Sequence, residues 1–313
     1  MLGGVYFATG DSMPITYIGE LAGLATAIFF AGGATFFTFS SRLVGSQVVN
    51  RTRLLVATLI LLCLHLLLYG SLIPAASNER WLWLGLSGVI GLALGDAALF
   101  QAFVQLGTRL TMLVFSTAPV VAALFGYFLF GETLNTVQIM GMLLGLSGVL
   151  WVVSEHEGEP RSHSQQRVYL FGLLFAFLAA LGQALGAITA KFGLVGDFPA
   201  LSAQVLRMLT ATACIWLFTL VRGQAAGTFT TLRQQPKAFG LLFIGALFGP
   251  VSGVWLSLVS IQNTEVGIAS TLIAMVPIFL LPIGYFVFRE KLTARGIVGT
   301  VVALAGVAIL FLA

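Results

Sequence analysis

Residues 119–132 read PVVAALFGYFLFGE, and 158 residues later the chain reads PIFLLPIGYFVFRE over residues 277–290. The same offset aligns residues 91–148 with residues 249–306 without a gap. The aligned pairs include residue types that others replace least easily, namely Pro119/Pro277, Gly126/Gly284, Tyr127/Tyr285, Glu132/Glu290, Gly91/Gly249, Gly95/Gly253, Gly141/Gly299 and Gly148/Gly306. The chain is therefore a duplication of one unit.

A weaker match extends the duplication towards the N-terminus at an offset of 154 residues. It pairs Ala22/Ala176, Gly32/Gly186, Thr35/Thr189 and Arg53/Arg207. Two copies, residues 1–153 and 168–313, are joined by residues 154–167, which have the composition of a soluble linker. In a membrane protein, self-similarity over so long a period is typical of a transporter built from two pseudo-symmetric halves.

Composition places the chain in a membrane. Hydrophobic residues make up 58% of the chain and charged residues only 8%, whereas soluble domains carry about 25% charged residues. The net charge of +4 is read as a topology signal rather than as a sign of an acidic partner such as nucleic acid. Cys63 and Cys214 lie inside apolar runs and are read as small core residues rather than as a disulfide or metal pair.

Ten stretches of the sequence are long and apolar enough to form transmembrane helices, which need about 20 residues each. They are residues 17–39, 52–71, 82–105, 109–130, 135–153, 168–190, 201–221, 238–261, 266–288 and 294–312. Five fall in each copy, and because five is odd, the second copy enters the membrane from the opposite side. The sequence thus predicts an all-α membrane protein of ten transmembrane helices in two inverted-topology five-helix repeats.

Positive charges are distributed unevenly over the two sides of this bundle. Twelve of the fifteen Lys and Arg residues, Arg53 among them, lie in loops that follow odd-numbered helices, whereas Arg80, Lys191 and Arg207 lie on the other side. The positive-inside rule then places the odd-numbered loops in the cytoplasm and both termini outside. We expect an integral protein of a bacterial or archaeal plasma membrane.

The duplicated motif at residues 119–134 and 277–293, followed in each copy by a glycine-spaced helix, resembles the two EamA repeats of the drug/metabolite transporter superfamily. The run GLLFAFLAAL at residues 172–181 is similar to the opening helix of such a repeat. The resemblance covers residues 17–313. It implies a ten-helix carrier with a central cavity between its halves, which usually exports amino acids, other small metabolites or drugs.

The chain departs from the family pattern in its charges. The acidic position before the fifth and tenth helices is kept as Glu132 and Glu290, but Gly131 of the first copy is Arg289 in the second. Many family members are drawn with cytoplasmic termini. The resemblance and the charge distribution therefore predict opposite orientations.

Asp96 is the acidic residue that stands out inside the predicted helices, since a carboxylate near the bilayer centre costs at least about 2.5 kcal/mol. It must face a partner or a watery cavity. One reading is a residue that contacts the substrate or carries a proton, with Phe100, one turn on, beside it. The other is a protonated or hydrogen-bonded Asp that only ties helices together.

Arg207 begins the seventh helix on the side that the charge distribution places outside. Topology does not explain it, whereas topology does explain its repeat mate Arg53. Either its side chain snorkels to the interface as packing, or it lines the mouth of the cavity and holds an anionic group of the substrate. Lys191 presents the same choice.

Residues of four further helices complete the candidate substrate site. Ser252 and Trp255 share one stripe of helix 8, where packing and cavity lining both fit the pattern. Gln183 carries an amide that hydrocarbon cannot satisfy, so we expect it to face inward. Pro119 and Pro277 lie in the middle of their segments, where they are expected to kink helices 4 and 9 and to free carbonyls along the substrate path.

The histidines do not suggest catalysis or metal binding. His65 stands alone in an apolar stretch, where a hydrogen-bonded core residue is favoured over a proton relay. His156 and His163 lie in the charged linker without helical spacing and are read as solvated rather than as metal ligands. The sequence predicts no catalytic residue, no metal site and no cofactor.

A secondary carrier is the function that this pattern favours. It would move an amino-acid-like or drug-like metabolite by alternating access, and the family resemblance implies the outward direction. The sequence holds no P-loop motif, so ATP does not drive transport. A lipid or glycolipid flippase on the same scaffold is the alternative, and a membrane-embedded enzyme is less favoured because it needs a clustered nucleophile and base or a metal triad. The partners are the substrate and the bilayer, and a monomer is compatible with the sequence.

The charge distribution predicts which positions an impermeant thiol reagent reaches in intact cells. In a variant that lacks Cys63 and Cys214, we expect Asn78→Cys to be labelled and Ala225→Cys to be protected, because the first lies outside and the second in the cytoplasm. The opposite labelling pattern would refute the orientation with outside termini.

Overall fold

The computed structural model describes residues 17–115, 117–153, 163–287 and 294–312. The α-helices of these ranges are α1 (Ile18–Val44), α2 (Ser46–Tyr69), α3 (Asn78–Ser87), α4 (Asp96–Phe115), α5 (Ala118–Phe130), α6 (Thr136–Val153), α7 (His163–Leu194), α8 (Ala200–Val221), α9 (Ala225–Gln234), α10 (Pro236–Ala246), α11 (Val254–Asn263), α12 (Val266–Ile273), α13 (Val276–Val287) and α14 (Ala294–Leu312). Two π-helical segments continue the α-helices: π1 (Gly88–Gly95) joins α3 to α4, and π2 (Leu247–Gly253) joins α10 to α11.

Six helical spans of the described chain are long and apolar enough to cross a bilayer. They are Ile18–Val44, Ser46–Tyr69, Asn78–Ala102, Gln166–Leu194, Ala200–Val221 and Pro236–Asn263. Shorter apolar helices occupy the remaining predicted spans: Ala118–Phe130, Thr136–Trp151, Val266–Leu280 and Ala294–Leu310. Large apolar side chains such as Leu67, Phe128 and Phe286 are exposed on the protein, as a surface covered by lipid requires. The chain is an integral, multi-pass membrane protein.

The end of the third predicted helix lies further along the chain than we expected. The sequence suggested an end near residue 105 and a new start near residue 109, but α4 continues to Phe115 and α5 begins at Ala118. Residues 106–108 contain a single glycine and no proline, and one glycine costs a helix only about 1 kcal/mol. Local sequence therefore does not end the helix there.

In the second copy the helix does end at the position that corresponds to residues 105–109 of the first copy. Thr264 is extended, and so is Glu265, before α12 begins. Glu132 accepts a hydrogen bond at its Oε2 from the backbone N–H of Val266 at 3.0 Å, which satisfies one of the free N–H groups at the start of α12. The repeat mate of Glu132, Glu290, lies outside the described residues.

The two π segments occupy corresponding positions of the two copies. At the offset of 158 residues, residues 89–95 align with π2. Pro250 of π2 has no N–H to donate within the helix, and its carbonyl accepts a hydrogen bond from Gln204 Nε2 at 3.0 Å. Because π-helical turns are uncommon and often lie at functional sites, the residues beside π1 and π2 are candidates for a functional site.

Each π segment is crossed by a helix of the other copy. Gly186 of α7 lies against Gly91 of π1, and Gly33 of α1 lies against Gly249 of π2. A Cβ atom on Gly186 or Gly33 would lie 3.0 Å from the neighbouring backbone. Small residues thus allow the backbones of the two copies to meet directly, which is how helices associate where lipid gives no hydrophobic drive.

The repeat mates α2 and α8 pack against each other in opposite directions. Hydrogen bonds along their whole contact join them, from Trp216 Nε1 to the Arg51 carbonyl at 3.1 Å, between Thr58 Oγ1 and Thr212 Oγ1 at 2.7 Å, and between His65 Nε2 and Ser202 Oγ at 3.0 Å. Residue numbers rise along α2 as they fall along α8. Thr58 and Thr212 are repeat mates, so this bond joins corresponding positions of the two copies. His65, which also contacts the Ser71 carbonyl at 2.6 Å, is the hydrogen-bonded core residue that the sequence favoured.

Helices α6 and α14, the last helix of each copy, also pack against each other in opposite directions. Gly141 lies against Gly306, and Gly148 lies against Gly299. The offset of 158 residues exchanges these two contacts. A Cβ atom on Gly148 would collide with the backbone of Ala303, so the helices are as close as glycine permits.

The contact at Gly148 predicts a large effect of one added methyl group. We expect Gly148→Ala to destabilise the protein by roughly 1–3 kcal/mol, the usual cost of overpacking, and to lower the melting temperature in detergent. Gly240→Ala is the matched control, because Gly240 is also helical and a Cβ there meets nothing within 4 Å. Equal melting temperatures for the two variants would contradict the close packing of α6 and α14.

Candidate functional site

Asp96 forms an ion pair with an arginine of its own copy. It is the first residue of α4, directly after π1, and its Oδ2 accepts a hydrogen bond from Arg53 Nη2 of α2. The exposed fractions of the two side chains are 19% and 12%. The carboxylate that sequence singled out therefore has a charged partner inside the helix bundle.

Arg53 is a site residue that the sequence analysis missed. We counted it among the loop charges that set the orientation, but in the structure it lies about two turns inside α2 and binds Asp96. Its Nε donates to Asn50 Oδ1 at 3.0 Å. Its guanidinium lies over the rings of Phe37 and Phe100, at 5.5 Å and 5.2 Å from their centroids. Its repeat relation to Arg207 is the signal that could have identified it.

Phe100 takes the position that helical spacing predicted, on the same face of α4 as Asp96. Its ring contacts the cation that binds Asp96, an arrangement in which a cation–π interaction stabilises the arginine. Asp96, Arg53 and Phe100 thus form one contact group at the junction of π1 and α4.

Arg207 brings a second positive charge to this group from the other copy. It lies on α8 with only 5% of its surface exposed, and it interacts electrostatically with Asp96. Its Nη2 borders Gly91 of π1. Within the described part of the chain its Nε has no hydrogen-bond partner. Snorkelling to the membrane surface does not describe a side chain this deeply buried.

The surroundings of the two arginines differ although the arginines are repeat mates. Asn50 binds the Nε of Arg53, whereas Gln204, three residues before Arg207, donates its amide to Pro250 and leaves its Oε1 buried without a partner among the described residues. The position that corresponds to Asp96 in the second copy is Val254. Arg207 therefore has neither an amide acceptor on its Nε nor an acid of its own copy, and it shares Asp96 with Arg53. We name Asp96, Arg53 and Arg207 the charge cluster.

Gln183, Ser252 and Trp255 lie on segments that adjoin the charge cluster. All three are half-buried. Gln183 follows Gly182, which lies against Gly95 of π1, and Ser252 is part of π2. Trp255 packs against two of the hydrophobic core clusters. Their contact with substrate remains a prediction.

Pro119 and Pro277 do not kink continuous helices as we expected. Each is the second residue of a helix, α5 and α13 respectively, where the missing N–H of proline is no loss and its fixed φ favours helix initiation. For Pro277, the preceding helix has already ended: α12 stops at Ile273, with Ala274 as its C-cap, and α13 begins at Val276. A role in lining the substrate path stays a prediction for both.

A second charged network joins four segments of the two copies. Glu132, which follows α5, binds Lys191 Nζ of α7 through Oε1 and the start of α12 through Oε2. Lys191 also donates to the Thr264 carbonyl at 3.2 Å. The Thr264 hydroxyl donates to Glu20 Oε1 of α1 at 3.0 Å. We name Glu132, Lys191, Thr264 and Glu20 the end network.

The end network supplies the partners of Lys191. Its ammonium pairs with Glu132 and lies 5.6 Å from the centroid of the Phe130 ring, while a position at the mouth of the cavity stays a prediction. The sequence identified Glu132 through the duplicated motif and the family resemblance, without its partners. The long-range contact of Glu132 with Val266 could not be predicted from the sequence, because the two residues are 134 positions apart.

Comparisons with known proteins agree with the duplicated architecture. The sequence profile of the EamA-like transporter family matches the chain twice, over residues 17–154 and 170–312. A WAT1-related protein of Arabidopsis thaliana, described as chloroplastic, is 22% identical over 234 residues, which are 69% of this chain and 52%, about half, of that relative. An uncharacterized transporter of Synechocystis sp. is 23% identical over 88% of this chain and 86% of its own length.

A solved crystal structure shares the fold. It superposes with a TM-score of 0.72 over 94% of this chain and 96% of its own, at 17% sequence identity. A sequence identity this low shows a shared fold and does not show a shared function.

The end network predicts energetic coupling between Glu132 and Lys191. We expect Glu132→Gln and Lys191→Met each to lower the free energy of unfolding, and the double variant to lose about 0.5–3 kcal/mol less than the sum of the two, the range typical of contacting residues. Thermal unfolding of all four proteins gives the coupling, with Glu79→Gln, an exposed carboxylate, as the control. Additive losses would show that the pair is not an energetic unit.

Proposed function

Because the chain belongs to the EamA-like transporter family, we propose that this membrane transporter is a secondary carrier that exports a small organic metabolite by alternating access between two inverted halves. Family membership confirms the resemblance of the two copies to EamA repeats. The outward direction is taken from that resemblance.

The charge cluster is the observation that carries the proposal. Two arginines and one carboxylate lie where the copies meet, beside the π segments and inside apolar helices. Ionisable groups at such depth are expensive and rare, and they usually line a substrate or ion pathway. A purely structural bundle would gain more from apolar packing at this place.

The antiparallel contacts support the inverted relation of the halves. A two-fold axis that passes between Thr58 and Thr212 and reverses α2 into α8 lies perpendicular to these helices, which means in the membrane plane. The reciprocal contacts of Gly141 and Gly148 with α14 have the same symmetry. Inverted repeats of this kind bind substrate near the bilayer midplane, between the halves.

The end network is suited to act as the gate at one end of the pathway. It ties α5 of the first copy to α7 and α12 of the second, so that the halves cannot separate there without breaking the Glu132–Lys191 pair. By the predicted orientation this end faces outside. The repeat mate of Lys191 is Phe37, so an equivalent lysine does not close the other end.

Asp96 is the group best placed to couple transport to protons. It is the acid of the charge cluster, and its neutralisation would release Arg53 and change the net charge that a substrate meets. The sequence contains no P-loop motif, so transport runs down a gradient of the substrate alone or of substrate and protons together.

The variant Asp96→Asn separates a transport role from a structural one. The amide is isosteric and can still accept a hydrogen bond from Arg53, but it leaves the charge of Arg53 without its ion pair, so we expect a folded protein with a lower melting temperature, and uptake is compared per folded molecule. Uptake of radiolabelled amino acids by proteoliposomes should fall at least about tenfold, as expected when a charged hydrogen-bonding group is lost, and any pH dependence should flatten. Glu79→Gln is the matched control with full activity.

The contrary outcomes are distinct. Undiminished uptake by a stable Asp96→Asn protein would remove Asp96 from the transport site. A lowered melting temperature with undiminished uptake per folded molecule would make it a tie between helices. Lipid scrambling by the same proteoliposomes, without uptake, would support the flippase reading.

A further inference from the structure

Within the part of the chain that the structure describes, Arg207 is a buried charge whose interacting acid, Asp96, is already bound to Arg53. Only 5% of the surface of Arg207 is exposed, and its Nε has no acceptor among the described residues. Arginine keeps its proton in proteins, so the charge cannot be removed by neutralisation as it can for lysine. A buried charge of this kind is strongly destabilising unless something pairs with it.

Asp96 cannot balance both arginines. Its Oδ2 binds Arg53, and one carboxylate opposite two guanidinium groups leaves the charge cluster with a net charge of +1. In the second copy Val254 stands where the first has Asp96, and the side-chain amide of Gln204 is bound to Pro250. The second copy thus carries the arginine of the repeat without its acid.

We propose that Arg207 binds the anionic group of the transported molecule, and that this group is a carboxylate. The inference rests on the proposed carrier function and names the substrate class, an organic molecule with one carboxylate at the charge cluster. The bound carboxylate takes the place that a second aspartate would occupy at residue 254.

Charge balance selects a monoanion. A single negative charge brings the cluster to neutrality, whereas a phosphate dianion would leave an excess negative charge in a medium of low dielectric constant. Geometry agrees, because the guanidinium presents parallel N–H groups that match the two oxygens of a carboxylate. The glycine at position 91 leaves the Nη2 face of Arg207 without an intervening side chain.

Stability without ligand gives the first test. We expect Arg53→Met to lower the melting temperature of the purified protein by several degrees, because it leaves Asp96 without its ion pair. Arg207→Met should leave the melting temperature unchanged or raise it, because it removes an unpaired buried charge. A fall with Arg207→Met as large as that with Arg53→Met would mean that Arg207 has a structural partner, and would overturn the inference.

Ligand-induced stabilisation gives the second test, with acetate and benzoate as monocarboxylate probes at constant ionic strength. Benzamide is the neutral control of the same shape as benzoate, and inorganic phosphate, with all probes tested at a pH above its second pKa, is the dianion control. At about ten times its Kd, a bound probe should raise the melting temperature by roughly 2–5 °C. We expect this shift with a carboxylate and not with benzamide, a loss of the shift in Arg207→Met, and a partial shift in Arg207→Lys, which keeps the charge but not the paired N–H groups.

Three results would overturn the inference: no shift with either carboxylate in the native protein, a carboxylate shift that survives in Arg207→Met, or a larger shift with phosphate than with the carboxylates. Proteoliposome uptake of the labelled carboxylate that binds separates this inference from the carrier proposal. Binding that depends on Arg207 without uptake leaves the anion site standing and refutes the carrier. Uptake that Arg207→Met does not reduce leaves the carrier standing and refutes the anion site.

Discussion

The direct contact of glycine backbones between the two copies is the constraint on which the rest of the structure depends. Lipid is as apolar as leucine, so helices in a bilayer gain stability mainly from close packing. Gly33 on Gly249 and Gly186 on Gly91 let α1 and α7 cross the π segments of the opposite copy with no side chain between them. These crossings fix where π1 and π2 lie, and π1 in turn presents Asp96 to the arginines of α2 and α8.

Within that symmetric frame the charges are asymmetric. Duplication supplied an arginine to each copy, Arg53 and Arg207. Among the described residues, the first has an acid and an amide oxygen bound to it, whereas the Nε of the second has no acceptor. The glycine contacts are thus shared by both copies, but the acid at residue 96 has no counterpart at residue 254. This asymmetry is the basis on which we propose a charged ligand beside Arg207.

Sequence predicted the features that depend on local period or on the offset between copies. The two repeats and the helical architecture follow from such patterns, and the family match and the described residues agree with them. The sequence could not place Arg53, because the positive-inside rule treats every arginine near a helix end as a loop charge. It also misplaced the end of the third helix, because the single glycine in residues 106–108 does not end a helix by itself. The contact of Glu132 with the start of α12 joins residues 134 positions apart and could not be predicted from local sequence.

The strength of the two charged sites bears on how such a carrier changes state. A partly exposed pair such as Glu132–Lys191 contributes about 1 kcal/mol, which changes the ratio of two conformations only about fivefold. Reversing a conformational ratio of 1:99 takes about 5.5 kcal/mol. The end network by itself can bias which end is closed but cannot lock it. Neutralising the buried charge of Arg207 has a larger effect, because it changes the free energy of closing the halves around that charge. In the proposed carrier, a ligand that neutralises Arg207 therefore shifts the conformational equilibrium further than the end network alone can.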